Sequence, residues 1–285
     1  MITEEQFQKE LDIIISNAIR EDVGDGDHSS LSCIPTSAKG KAKLLVKEDG
    51  ILAGVEFAKQ VFAYVDDSLE IEVLIEDGQK VSYGDIAFYV SGNSQSILKA
   101  ERLVLNAMQR MSAIATKTKF FVDLLEGTNT KILDTRKTTP GIRAIEKWAV
   151  KIGGGVNHRF ALYDMIMLKD NHIDFAGGIT SAINKTKDYL KATNRNLKII
   201  VEARNLTEIR EILKSDGVYR ILIDNFNYED TRTAVKLIGE KCLTESSGGI
   251  NEKTIRNYAE CGVDYISSGA LTHSVYNLDL SLKAV

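Results

Sequence analysis

Proline is nearly missing from this chain: Pro35 and Pro140 are the only two in 285 residues, so no proline-rich linker or tail is present. Cysteine is scarce and scattered. Cys33, Cys242 and Cys261 are odd in number and far apart, which excludes a disulfide framework and a zinc-knuckle spacing and fits a reducing cytoplasm. No apolar run approaches the length of a membrane span, and the acidic start Ile2-Thr3-Glu4-Glu5 carries no signal-peptide core, so neither membrane nor export is expected. A basic surplus is also missing. The net charge is −4, which speaks against a nucleic-acid-binding face. What is present, 44% hydrophobic and 27% charged residues, describes a globular protein with ample core, built as one large domain or a large and a small one.

Phe7, Leu11, Ile14 and Ala18 recur at helical spacing, and Thr3 is placed to cap that helix. The segment Glu21 to His28 is rich in glycine and carboxylate but lacks calcium-loop spacing, so an ordered turn is expected there. Residues 41–47, 69–75 and 86–91 read as strands, and 55–65 as a helix. A small α+β domain is expected over residues 1–110, with the tail at 275–285 packed on it. A long helix is expected over 96–126, with Ile97, Val104, Met108, Met111, Ala115 and Phe121 as its buried stripe. Arg102 lies on another face, where it is either a surface cation or a site residue.

From residue 131 the pattern becomes periodic, and a catalytic domain is expected over 111–274. Apolar runs end in turn at Asp134, Lys169, Glu202, Asp224, Glu245 and Ser267-Ser268. Each gap accommodates a helix and two loops, which describes a parallel sheet. Polar residues at the C-terminal ends of so many strands favour a (β/α) barrel over an open doubly wound sheet.

Between Lys131 and His172, eight Lys/Arg face four Asp/Glu, a basic island in an acidic protein. The cations sit among glycines and histidines directly after apolar runs, which points to an anionic small ligand. Ser246-Ser247-Gly248-Gly249 and Ser268-Gly269-Ala270 follow the last two strands, where barrels hold phosphate on backbone amides and a following helix start. Glu202 and Asp224 suit ribose hydroxyls or a magnesium ion. Arg136, Lys137, His158, Arg159 and Lys169 suit a polycarboxylate. Together these groups describe phosphoribosyl transfer to an acidic acceptor.

The blocks Asp134-Thr-Arg-Lys-Thr-Thr-Pro-Gly-Ile-Arg143, Gly153-Gly-Gly-Val-Asn-His-Arg159, Lys169-Asp-Asn-His172, Ser247-Gly-Gly249 and Ser268-Gly-Ala-Leu-Thr-His-Ser274 resemble the signature of the quinolinate phosphoribosyltransferase family. Glu21 to Asp27 and Glu101 to Thr116 resemble it too, so the likeness covers nearly the whole chain. It departs at Ala113, Ile152 and His28-Ser29, which affects packing and no charged ligand. The resemblance implies an N-terminal α+β sandwich, an open (β/α) barrel of six to seven strands and a homodimer. It also implies a reaction of quinolinate with 5-phosphoribosyl-1-pyrophosphate (PRPP) and magnesium that gives nicotinate mononucleotide, pyrophosphate and carbon dioxide. Carried over, Thr135, Arg136, Lys137, His158, Arg159 and Lys169 would bind quinolinate, with Arg102 reaching the partner's site. Lys137, Lys169, Glu202, Asp224, Ser247, Gly248, Gly249, Ser268, Gly269 and Ala270 would bind PRPP. Lys137, Lys169, Glu202 and Asp224 would take part in catalysis, and Glu202 and Asp224 would hold the metal. A Schiff-base aldolase using Lys169 would leave the arginine cluster idle, and a purely regulatory barrel would need several of these groups missing.

Overall fold

A computed structural model of the chain describes residues 2–285. Helix α1 (Glu4–Val23) starts at a capping box: the Gln6 N–H donates to Thr3 Oγ1 at 3.2 Å, and the Thr3 N–H to Gln6 Oε1 at 3.0 Å. These bonds satisfy donors that a helix start otherwise leaves open. The carboxylate-rich segment that follows is the end of α1, a turn, and the cap of a short helix α2 (His28–Cys33). There Asp27 accepts from the Ser30 N–H at 3.1 Å. Among the described residues no group of three or more His, Cys, Asp or Glu could hold a metal ion.

Next come β1 (Lys39–Val46), β2 (Gly50–Ile51), α3 (Val55–Val65), β3 (Glu70–Val73), β4 (Lys80–Val81), β5 (Ile86–Asn93) and α4 (Ser94–Leu124). An antiparallel sheet runs β12-β1-β5-β3, with β12 (Leu280–Ala284) supplied by the end of the chain, and β2 pairs with β4. Alternation along β1 and β5 buries Leu44, Val46, Phe88 and Val90. All six apolar residues expected in the stripe of α4 are buried.

The rest of the chain alternates strand and helix: β6 (Lys131–Leu133), α5 (Arg143–Ile152), β7 (Ile166–Leu168), α6 (Asp170–Ala176), α7 (Ile179–Ala192), β8 (Ile199–Ala203), α8 (Leu206–Ile212), β9 (Val218–Asp224), α9 (Tyr228–Ile238), β10 (Leu243–Ser247), α10 (Ile255–Ala259), β11 (Tyr265–Ser267) and α11 (Ala270–His273). The six strands form one parallel sheet in the order β6-β11-β10-β9-β8-β7. Its edges β6 and β7 do not pair, so the barrel is open, and a single parallel bridge from Leu133 to Val156 lies beside β6. β10 extends through Ser247, which puts Glu245 inside the strand and not at its end, where the sequence pattern places it.

Two compact units result, each assembled from segments that are not contiguous in the chain. One comprises residues 120–136 and 155–270, and holds the parallel sheet. The other comprises 3–119, 137–154 and 271–285. Helix α5 joins the second unit because it packs on α1, with the Phe7 and Trp148 rings edge to face at 5.4 Å. Among the described residues no helix is long and apolar enough to cross a membrane.

Candidate active site

In the register of the parallel sheet, Glu202 lies beside Leu222, Leu222 beside Glu245, and Asp224 beside Ser247. Because side chains alternate along a strand, Glu202, Asp224, Glu245 and Ser247 share one face. Asp224 ends β9, Glu202 is one residue from the end of β8, and Lys169 follows β7 directly. This is the C-terminal edge, where barrels assemble their sites. Burial, and then the charge of Asp224, push the Glu202 carboxyl above the ordinary range, while Lys169 pulls it back. Two carboxylates and a lysine therefore share one field.

The loop after β10 requires glycine. Gly248 has φ +101° and Gly249 φ +59°. A Cβ on Gly248 would lie 2.1 Å from Asn225 Oδ1 and 2.9 Å from the Asn225 backbone N. Asn225 itself is left-handed at φ 57°. Its N–H donates to the Ser247 carbonyl at 2.9 Å, and its Nδ2 to Asp224 Oδ2 at 2.7 Å, so one residue ties the glycine loop to the carboxylate. In the second loop the Ser268 N–H donates to the Leu133 carbonyl at 3.0 Å. The helix start expected just after Gly249 is not there. α10 begins only at Ile255 and spans 5 residues, so the first loop offers backbone amides and not a helix terminus.

The cations divide into exposed and buried. Arg136 is exposed after β6, and Thr135 beside it is half-buried. Arg159 is buried, with Nη1 donating to the Met165 carbonyl at 3.1 Å. Burial, and then the nearby Arg136 guanidinium, lower its proton affinity, with Asp164 opposing. Two guanidiniums thus converge, an arrangement that favours an anion between them. Asp164 accepts the Phe160 and Ala161 N–H groups, each at 2.8 Å, and shapes the connecting loop.

His158, expected among the acceptor-binding groups, sits in a network of its own. Its ring is buried, with the side chain 6% exposed. The His158 backbone N–H donates to Asp134 Oδ1 at 2.8 Å, and Asn157 Nδ2 donates to Asp134 Oδ2 at 2.6 Å. The Arg159 N–H donates to His158 Nδ1 at 2.6 Å, while Nε2 lies 3.4 Å from Glu245 Oε2. Glu245 is fully buried and accepts from Arg220 Nη1 at 2.6 Å. Burial alone would raise the Glu245 carboxyl, yet His158 and Arg220 hold it down to about 2. Of the other histidines, His28 is exposed 3.4 Å from Asp25, His172 Nδ1 accepts the Lys169 N–H at 3.2 Å, and His273 Nδ1 meets Ser274 Oγ at 2.6 Å.

Residues 27–112 match the family model for the quinolinate phosphoribosyl transferase N-terminal domain, and residues 114–283 match that for its C-terminal domain. The chain belongs to the quinolinate phosphoribosyltransferase family. It is 45% identical over 285 residues to quinolinate phosphoribosyltransferase (decarboxylating) 1b of Nicotiana tabacum, covering 95% of this chain and 81% of the relative. It is 39% identical over 269 residues to the probable nicotinate-nucleotide pyrophosphorylase (carboxylating) of Bacillus subtilis strain 168, covering 94% of this chain and 91% of that one. The crystal structure of NadC from Streptococcus pyogenes superposes with a TM-score of 0.89 at 36% identity, covering 100% of this chain and 99% of that one.

Of the residues expected in the site, Thr135, Arg136, His158, Arg159, Lys169, Glu202, Asp224, Ser247 to Gly249 and Ser268 to Ala270 lie within the unit that holds the parallel sheet. Lys137 and Arg102 belong to the other unit. Lys137 is exposed, and its carbonyl accepts from Thr272 Oγ1 at 2.8 Å. Nearby, buried Glu146 accepts from Arg110 Nε and Nη2 at 3.0 and 2.9 Å, and from the Thr139 N–H and Oγ1 at 3.0 and 2.8 Å. The loop that carries Lys137 is therefore anchored at both ends. Arg102 is exposed on α4. Sequence reasoning missed Asn225, Asp134, Arg220 and the interior place of Glu245. Asn225 leaves one trace in the sequence, being the non-glycine residue that best tolerates a left-handed turn, placed directly after Asp224.

Proposed function

We propose that the chain transfers the phosphoribosyl group of PRPP to quinolinate with decarboxylation, giving nicotinate mononucleotide, pyrophosphate and carbon dioxide, a step of NAD biosynthesis. One observation carries this reading. The parallel-sheet unit combines paired guanidiniums, Arg136 and Arg159, with a carboxylate pair, Glu202 and Asp224, and a glycine loop tied to that pair by Asn225. The guanidiniums match the two carboxylates of quinolinate, the carboxylate pair matches ribose hydroxyls, and the amides of 247–249 match the 5-phosphate.

In the transfer, the quinolinate ring nitrogen attacks ribose C1 as the bond to pyrophosphate breaks, and the bonding pair leaves with pyrophosphate. Glu202 and Asp224 steady the positive charge that develops on the ribose, and Lys169 meets the departing phosphates. The carboxylate on the carbon beside the now quaternary nitrogen then leaves as carbon dioxide. Its electron pair stays on that ring carbon beside the positive nitrogen and takes up a proton from water. Arg136 and Arg159 orient the acceptor throughout, and no protein nucleophile is needed.

The donor set also fits magnesium. Burial and then the charge of Asp224 raise Glu202, and a divalent cation between these two hard oxygen donors would relieve both. Glu202 and Asp224 would hold it together with substrate oxygens, and it would neutralise charge on the leaving pyrophosphate. We further propose a homodimer in which exposed Arg102 serves the partner's site. Leu98 and Phe120, 42% and 49% exposed on the same helix, supply apolar surface for such a contact. The three cysteines are free, which fits a reducing compartment such as the cytoplasm.

The test is turnover of purified protein, followed by loss of quinolinate absorbance. Turnover that requires quinolinate, PRPP and magnesium together supports the reading, and Arg136→Ala is expected to cost about 2–4 kcal/mol in kcat/KM. Unchanged turnover in Arg136→Ala, or none in the unaltered protein, refutes it.

A further inference from the structure

Beneath the site, the face that carries Glu202, Asp224 and Ser247 also carries a charged pair. Glu245 is two residues below Ser247 on β10, and Arg220 is four below Asp224 on β9. The regular register of β9 against β10 puts Arg220 there: it pairs with Leu243 as Leu222 pairs with Glu245 and Asp224 with Ser247, so alternation turns all of these to one face. The guanidinium is then fixed, with its carbon 4.2 Å from the Tyr265 ring centroid and 5.4 Å from that of Tyr219.

Stability is a weak explanation for this pair. Buried ion pairs gain little over apolar residues of similar volume. This one is also incompletely satisfied: Glu245 Oε1 and Arg220 Nε are buried without a hydrogen-bond partner among the described residues. Its contacts lead upward instead. Arg220 Nη1 holds Glu245 Oε2 at 2.6 Å, and the same oxygen faces His158 Nε2 at 3.4 Å. His158 Nδ1 accepts the Arg159 N–H at 2.6 Å, so the ring proton sits on Nε2, the nitrogen turned to Glu245. The His158 backbone N–H is fixed on Asp134 at 2.8 Å, so the ring lies between Glu245 on its Nε2 side and the Arg159 N–H on its Nδ1, and it places the backbone of Arg159.

We infer that Glu245 and Arg220 are positioning residues: through the buried His158 ring they fix Arg159 for the anionic acceptor. On this account His158 supports the acceptor-binding arginine from behind. The inference rests on the proposed role of Arg159 toward quinolinate.

The test replaces the whole pair. Arg220→Met/Glu245→Met removes both charges at similar volume, which leaves folding stability equal or higher for a pair of this kind. Quinolinate binding is measured by calorimetry and the KM for PRPP by initial rates. The expected result is an unlowered Tm, a quinolinate Kd weaker by about 10- to 100-fold, and a PRPP KM within about twofold. A quinolinate Kd within twofold of the unaltered protein overturns the inference. So does a parallel loss of both substrates together with Tm, which would mark a general structural role. If the double variant does not fold, Glu245→Gln is judged by the same criteria. An unaltered protein that binds PRPP but not quinolinate overturns the acceptor assignment itself, and this inference with it, whereas an unaltered protein that binds quinolinate puts the outcome on Glu245 and Arg220 alone.

Discussion

Replacing Gly248 by alanine perturbs a backbone position that packs against Asn225, the residue that ties the proposed phosphate loop to Asp224. At φ +101° an L residue is strained before any contact is considered, at a cost of about 1–3 kcal/mol. The new Cβ would also lie 2.1 Å from Asn225 Oδ1, 2.5 Å from its Cγ and 2.9 Å from its backbone N. A side-chain rotation relieves the first two contacts but not the third. The loop after β9 must therefore move by several tenths of an ångström, and the 2.7 Å bond from Asn225 Nδ2 to Asp224 moves with it. Strain and displacement together are expected to cost about 2–4 kcal/mol. For a chain of this size that lowers Tm by roughly 4–12 °C. Misplacing Asp224 and the amides by such a distance is expected to cost about 100-fold in kcat/KM for PRPP, with the quinolinate Kd far less affected. Thermal unfolding and initial rates at varied PRPP measure both. A Gly248→Ala protein with unaltered Tm and unaltered PRPP kinetics would refute the claim that this loop is conformationally constrained and holds the phosphate.

Glu202 titrates above the ordinary carboxylate range because of burial and then Asp224, so the fold disfavours its ionised form. That penalty is absent below the unfolded-state pKa and grows as pH rises through the folded one. Glu202→Gln is therefore expected to raise Tm of the substrate-free protein at neutral pH while losing about 100-fold or more in kcat, and a Tm that falls would contradict this. In the unaltered enzyme, kcat/KM is expected to drop on the acid side at a pH above the ordinary carboxylate range; a pH–rate profile flat through that range counts against an ionised Glu202. Glu146→Ala strands Arg110 and the Thr139 donors and is expected to cost about 3–5 kcal/mol, read as a lower denaturation midpoint at unchanged slope. Arg102→Ala and Glu202→Gln proteins, each inactive alone, are expected to regain turnover when mixed as subunits; no recovery in verified mixed dimers speaks against a shared site.

The periodic half of the chain was the most legible. Six apolar runs, each long enough for a short strand and spaced for one helix, became six parallel strands, because burial on both faces leaves a continuous apolar signature. α3 spans the residues that helical spacing predicts. α2 and the two-residue strands β2 and β4 escaped, since pieces that short carry no period. Within the site, Arg136, Lys169, Glu202 and Asp224 were legible because each is a polar residue interrupting or closing an apolar run. Arg220 and Glu245 were not. Both lie inside strands, and which residues meet across neighbouring strands depends on a register that a single strand's sequence does not carry. The surroundings of His158 were not legible for a related reason: the Asp134 acceptor, distant in sequence, turns its backbone inward.

The central claim is that one site joins phosphoribose to quinolinate and removes the carboxylate next to the new bond. Quinolinate labelled at the carboxyl beside the ring nitrogen tests it most directly, with carbon dioxide, pyrophosphate and the nucleotide product measured in one reaction. The account predicts one equivalent of labelled carbon dioxide for each pyrophosphate and each nicotinate mononucleotide formed. Label retained in the nucleotide, or pyrophosphate released without carbon dioxide, would contradict it.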